Sequence, residues 1–148
     1  HIKAFSHIEG VKILDNAVIG PFARLRPGTV IGPNSHIGNF VEIKKSKIKK
    51  NSKINHLTYL GDTSVGKNVN VGAGVITCNY DGIKKNKTII EDNVFIGSNA
   101  SLVAPIKLEK SSIVGAGSVI TQSVKEKALA VERNLQKTFP NYRKNRKK

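Results

Sequence analysis

Aliphatic residues recur every six positions through most of the chain. Ile13, Ile19, Leu25, Ile31, Ile37 and Ile43 run without interruption, a step of five leads to Ile48, and Ile54 and Leu60 follow. A second step of five gives Val65, then Val71; Thr77 takes the next place. After a gap the series resumes at Ile90 and continues through Ile96, Leu102, Leu108, Val114 and Ile120, while Ile2 and Ile8 extend it backwards. Two residues before each aliphatic lies a small or β-branched residue, among them Ala17, Ala23, Thr29, Ser35, Val41, Ser46, Ser52 and Thr58; only Ile106 in this column is large. One residue after the aliphatic, glycine is common: Gly20, Gly32, Gly38, Gly61, Gly66, Gly72, Gly97 and Gly115.

A period of six is neither the 3.6 of an amphipathic helix nor the 2 of a half-buried strand. It fits a short strand plus a corner: the aliphatic points inward, the small residue packs beside the corner, and glycine permits the turn. Successive strands of this kind stack into a parallel β-helix, an all-β solenoid of hexapeptide repeats. The five-residue steps are absorbed at corners. The segment from Thr77 to Lys87 is a loop inserted into the solenoid, with Asp81-Gly82 as its turn signal. The repeat stops near Ile120. Ser123-Val124-Lys125-Glu126 has the form of a helix capping box, and Ala128, Leu129 and Ala130 favour helix, although an extended arm is also open. The expected organisation is a repeat domain over 1–124 and a C-terminal arm over 125–148, its last stretch from Tyr142 to Lys148 a frayed basic tail.

A thin aliphatic core explains how 148 residues manage with 5% aromatics and no Trp or Met. No stretch approaches the roughly 18–20 apolar residues of a membrane span. The lone Cys78 excludes an internal disulfide and a cysteine-based zinc site, and no metal site is expected. The formal net charge of +15 favours anionic partners: phosphates, nucleotides, nucleic acid or a membrane surface. Lysines outnumber arginines 20 to 5, so position matters more than the total.

Position singles out a few residues. His56, two residues after inward Ile54, stands beside a corner, and an imidazole titrating near ~6.5 serves as a general base around neutral pH. A structural surface histidine is the competing reading. Arg26 and Lys44 lie three hexapeptides apart, hence stacked in adjacent coils of a three-sided solenoid, and two stacked cations grip one phosphate. A solvated lysine face competes with that. Asn70 offers an amide to a sugar hydroxyl, and the Gly-Ala-Gly segments around Ala73 and Ala116 bring backbone N–H groups close to a ligand.

Five segments occur in order: Arg24-Leu25-Arg26-Pro27-Gly28, the run Gly38 to Lys45, His56 to Asp62, Asn70 to Gly74, and Thr77 to Gly82. Together they resemble the acetyltransferase half of the bacterial bifunctional N-acetylglucosamine-1-phosphate uridyltransferase/glucosamine-1-phosphate N-acetyltransferase. The resemblance reaches Arg133. It implies a left-handed parallel β-helix, a homotrimer with sites between subunits, a cytoplasmic location, and acetyl transfer from acetyl-CoA to the amine of glucosamine-1-phosphate. The product feeds UDP-N-acetylglucosamine for peptidoglycan and lipopolysaccharide. The family's amino-terminal uridyltransferase domain, which takes UTP and magnesium, is absent from this sequence.

Residue by residue, the resemblance implies His56 as general base. It implies Arg26, Lys44, Tyr59, Asn70 and Lys85 as contacts to the amino-sugar phosphate. It implies Ala73, Asn79, Tyr80, Ser98, Ala116 and Arg133 on the acetyl-CoA side, with the Ala73 N–H facing a tetrahedral oxyanion. Two alternatives stand beside it: a hexapeptide acyltransferase with another acceptor, and a basic solenoid that binds anionic polymers. Few aromatics are available to stack on bases, so nucleic acid is not an expected partner.

Overall fold

The computed structural model describes residues 1–143. Residues 144–148 of the expected frayed tail lie outside the described residues. Twenty short strands wind into a β-solenoid of about seven turns whose strands all pair in parallel, a left-handed β-helix of hexapeptide repeats. Each turn contributes one strand to each of three sheets. The first face begins with His7–Ile8 and ends with Val119–Ile120, the second runs from Val11–Ile13 to Ile106–Leu108, and the third from Val18–Ile19 to Leu129–Ala130. No helix occurs among the described residues, so the capping-box reading of Ser123 to Glu126 gives way to the extended alternative. Val124 bridges Leu108, and Leu129–Ala130 pairs with Ile113–Val114, so the coil continues to Ala130. Two exposed edges of backbone drew these residues into the sheets, and pairing outweighed the helix propensity of an Ala-Leu-Ala run.

The six-residue column is the core. Ile19, Leu25, Ile31, Ile43, Ile54, Leu60, Val65, Ile96, Leu102, Leu108 and Val114 are fully buried, each worth about 1.5–3 kcal/mol of apolar transfer. Thr77 keeps its place in the column and is buried too. Its hydroxyl accepts a hydrogen bond from the Gly61 N–H at 2.9 Å and lies 3.3 Å from the Tyr59 carbonyl. The small-residue column is buried as well, and its hydroxyls reach the next coil: Ser35 Oγ donates to Lys49 O at 3.0 Å and Ser52 Oγ to Gly66 O at 2.8 Å.

The glycine column acts differently from the expectation. A Cβ on Gly32 or Gly72 would come within 2.7 or 2.6 Å of the next coil's backbone. Apart from Gly20, whose φ is +85°, glycine is there for clearance and not for a left-handed φ. The left-handed positions fall one or two residues later, at the edges. Where the second face meets the third, they are Asn16, Asn34, Asn51, Asn68 and Asn93, followed by Ser111 and Lys127. Asn tolerates this conformation best among residues with a side chain. Its amides also form a ladder, with Asn51 Nδ2 donating to Asn68 Oδ1 and Asn68 Nδ2 to Asn93 Oδ1, each at 3.1 Å. Where the third face meets the first, Gly74, Asn99 and Gly117 take these positions in the later coils, and Phe5, Phe22, Phe40 and Leu57 in the earlier ones. Their rings stack, with centroids 5.1 Å apart for Phe5–Phe22 and 5.5 Å for Phe22–Phe40, and all four side chains are exposed.

Candidate active site

Two edges of the prism flank the first face, and the expected site residues collect along both. Where the first face meets the second, successive coils present Arg26, Lys44, Gly61-Asp62 and Asn79. Arg24–Leu25 pairs with Glu42–Lys44, and Lys44 is the register partner of Gly61. Asp62 N–H donates to Lys44 O at 3.1 Å. The Arg26 guanidinium donates to Glu42 Oε1 at 2.9 Å, which fixes its direction along the face. Asn79, almost wholly buried, donates from Nδ2 to Asp62 Oδ2 at 2.7 Å. The Tyr59 hydroxyl and the Asn79 amide both lie over Gly61; a Cβ there would meet each at 2.5 Å. Glycine at 61 therefore makes room for two polar groups beside Lys44.

The inserted loop closes onto this edge. Asp81 organises it: Oδ1 accepts the N–H groups of Ile83 at 2.9 Å and Lys84 at 2.8 Å, and Oδ2 accepts Asn86 Nδ2 at 2.9 Å. These bonds, led by the Lys84 N–H, hold the Asp81 carboxyl at about 2. Tyr80 bridges Lys85 in antiparallel fashion, and Asn86 N–H returns to Asn79 O at 2.7 Å. The loop is thus an ordered hairpin that brings Lys85 against Lys44. A side-chain hydrogen bond from Lys85 pulls the Lys44 ammonium below its ordinary range; desolvation, the Lys85 charge and Arg26 add to this, and Asp62 opposes it. Three cations crowd one spot, and the attraction of a multiply charged anion placed among them would outweigh their mutual repulsion.

Asp81→Ala removes the acceptor for three donors. Amide hydrogen exchange at Ile83 and Lys84 is expected to accelerate severalfold, because both N–H groups lose their carboxylate acceptor. The carboxyl is depressed, so its contribution is complete above the ordinary carboxylate range. It is lost as pH falls toward 2, so the protection of the loop amides relative to their intrinsic exchange falls over that interval in the unsubstituted chain.

The other edge, where the third face meets the first, carries His56. His36–Asn39 and Lys53–His56 are in register, with Asn39 opposite His56. The imidazole Nδ1 lies 3.0 Å from Asn39 Oδ1; with Nδ1 protonated, it donates to that oxygen and Nε2 keeps its lone pair. Above His56 a single column of bonds climbs the edge: Gly74 N–H to His56 O at 3.2 Å, Asn99 N–H to Ala73 O at 2.8 Å, Gly117 N–H to Ser98 O at 2.8 Å, and Arg133 Nη1 to Ala116 O at 2.9 Å. Ala73, Ser98, Ala116 and Arg133 therefore line one straight track that starts one coil above the histidine. The N–H groups of Gly72 and Gly74 are taken by Ile96 O and His56 O, whereas that of Ala73 between them has no partner among the described residues.

Not every expected residue joins these groups. Asn70 projects from the third face, between Lys53 and Phe95, while Lys44 and Tyr59 belong to the first. Tyr80 is exposed on the loop, and its hydroxyl donates to Gly82 O at 2.7 Å. Cys78 sits on the strand before the loop without a role in either group. Sequence reasoning did not single out Asn39, Asp62 or Glu42 as site residues, although all three stand inside the quoted motifs. The signal was available for Asn39, which precedes His56 by 17 residues, the length of the shortened coil.

Fold and sequence place the chain among the hexapeptide-repeat transferases. The family described as bacterial transferase hexapeptide (six repeats) matches residues 10–45, and the hexapeptide repeat of succinyl-transferase matches residues 87–122. More particularly, the chain corresponds to the C-terminal hexapeptide acetyltransferase part of the bifunctional protein GlmU family. It is 54% identical over 138 residues to the bifunctional protein GlmU of Herminiimonas arsenicoxydans, covering 93% of this chain and 30% of the relative. It is 59% identical over 139 residues to that of Cellvibrio japonicus (strain Ueda107), covering 94% and 31%. The chain thus spans about 30% of the length of these curated relatives. Among solved structures, it superposes on AntD, an N-acyltransferase from Bacillus cereus in complex with dTDP-4-amino-4,6-dideoxyglucose and coenzyme A, with a TM-score of 0.73 at 20% identity, covering 90% of this chain and 82% of that one. The acetyltransferase domain of PglB from Neisseria gonorrhoeae gives 0.71 at 19% identity, covering 78% and 54%. At these identities the likeness concerns the fold.

Proposed function

We propose that the chain transfers the acetyl group of acetyl-CoA to the amine of glucosamine-1-phosphate, a step in UDP-N-acetylglucosamine synthesis. The observation that carries the reading is the placement of Arg26, Lys44 and Lys85 on one edge of the first face and of His56 on the other. A phosphorylated amino sugar laid across that face presents its phosphate to the cations and its amine to the imidazole. Tyr59 stands beside the cations as a partner for ring hydroxyls. The acyl donor runs along the track of Ala73, Ser98, Ala116 and Arg133, which puts its thioester next to His56.

The chemistry then needs few groups. The substrate ammonium loses its first proton to solvent, and the amine attacks the thioester carbonyl carbon. His56 Nε2 takes the second proton as the C–N bond forms, and the free Ala73 N–H receives the oxyanion. Collapse breaks the C–S bond, and the departing CoA sulfur takes the proton from the imidazolium. No covalent enzyme intermediate is required.

The reading includes assembly into a homotrimer. Exposed apolar side chains gather around the His56 edge: Phe5, Phe22, Phe40 and Leu57 on it, Ile76 and Val119 on the first face, and Phe95, Ile113 and Leu129 on the third. A contiguous patch of this kind supports burial against further copies. Asn70 points off the third face, so it reaches the amino sugar from a neighbouring copy rather than from the copy that supplies Lys44. Acetyl transfer with glucosamine-1-phosphate, compared with unphosphorylated glucosamine, tests the reading. Turnover that depends on the phosphate is expected; equal turnover of both amines would move the assignment to another acceptor.

A further inference from the structure

We propose that Asn39 is a positioning residue for His56, holding the imidazole in the tautomer that leaves Nε2 basic. The inference rests on the reading of His56 as the base. The geometry favours a built contact over a chance one. Strands His36–Asn39 and Lys53–His56 are four residues long, against two or three elsewhere, and the extra length carries the pairing to Asn39 and His56. A Cβ on Gly38 would run into the Asn55 backbone, so the two coils touch with no slack just before the pair. The backbone is pinned on both sides: Asn39 O accepts the Leu57 N–H at 3.1 Å, and His56 O accepts the Thr58 hydroxyl at 2.7 Å and the Gly74 N–H at 3.2 Å.

With the coils fixed, the only freedom left to the ring is rotation about its own side-chain bonds. The 3.0 Å contact from Nδ1 to the amide oxygen removes it. A neutral acceptor suits the task. It selects the tautomer without adding a charge beside the ring. The other titratable groups around the ring are Lys3 and His36 in the adjoining groove, Lys53 on its own strand, and Tyr59 and Glu42 on the first face, Glu42 being engaged by Arg26.

The test uses the whole chain with nitrogen-15 in its histidines. Above the imidazole's titration, His56 is expected as the Nδ1–H tautomer, and Asn39→Ala is expected to shift it toward Nε2–H. Asn39→Ala should lower kcat by about 10–100-fold with KM for the amino sugar little changed, as loss of an orienting partner does elsewhere. Asn39→Asp keeps the shape but places an anion on Nδ1. It should preserve the tautomer and move the acid limb of the pH–rate profile upward by on the order of one unit. An Nε2–H tautomer in the unsubstituted chain overturns the proposal, as does Asn39→Ala with kcat and pH profile unchanged. If the unsubstituted chain shows the Asn39-dependent tautomer but no acetyl transfer, the positioning stands and the assigned reaction fails.

Discussion

His56→Ala lowers kcat by about 10²–10⁴-fold, the span that a positioned general base contributes. The KM for the phosphorylated amine stays near its original value, because the cations that hold the phosphate lie across the face from the imidazole. Fold should be intact. His56 is exposed at an edge, its carbonyl rather than its ring bonds to Thr58 and Gly74, and its neighbour Ile54 carries the burial. Thiol release from acetyl-CoA under steady-state conditions reads the effect. The residual rate reports what proximity and the Ala73 N–H supply alone, and it should regain a dependence on added imidazole, a small base that fits the groove beside Asn55 and Gly38. A kcat unchanged by the substitution removes His56 from the proton transfer.

The repeat was legible because a solenoid has only one way to bury a six-residue column, and every position from Ile19 to Ile120 in that column is buried. The stacking of Arg26 on Lys44 was legible for the same reason: coil length converts sequence spacing directly into contact. What the period could not tell was which physical need each column served. Glycine at 32 and 72 answers a clearance between coils, a distance that no single-chain pattern encodes, and many of the left-handed edge positions are taken instead by asparagine and phenylalanine. The fate of Ala128 to Ala130 was equally hidden. Its local propensity favours helix, but the open end of the third sheet at Ile113–Val114 offers a ladder of unpaired groups, and Leu129–Ala130 takes it. The loop's inward fold around Asp81 depends on three bonds to neighbours within five residues, a pattern the Asp-Gly turn signal only announces.

Arg26 and Lys44 set the second large effect. Replacing either by alanine should cut kcat/KM for glucosamine-1-phosphate by about 10–100-fold, the span expected when one charge-assisted bond to a phosphate is lost. The two losses are unequal. Arg26 neutralises Glu42 through a 2.9 Å contact, whereas Arg24 lies 3.8 Å from the same carboxylate. Arg26→Ala therefore subtracts a cation and also frees an anion to repel the phosphate, so it should cost more than Lys44→Ala. Removing Lys44 relieves the repulsion with Lys85, which blunts its loss. The pair shares one ligand and one electrostatic cluster, so the double variant should fall short of the product of the single effects. Turnover of unphosphorylated glucosamine is the control and should move little in any of the three variants. If the phosphorylated and unphosphorylated amines lose activity in equal proportion, the two cations support the fold of the face rather than the recognition of a phosphate.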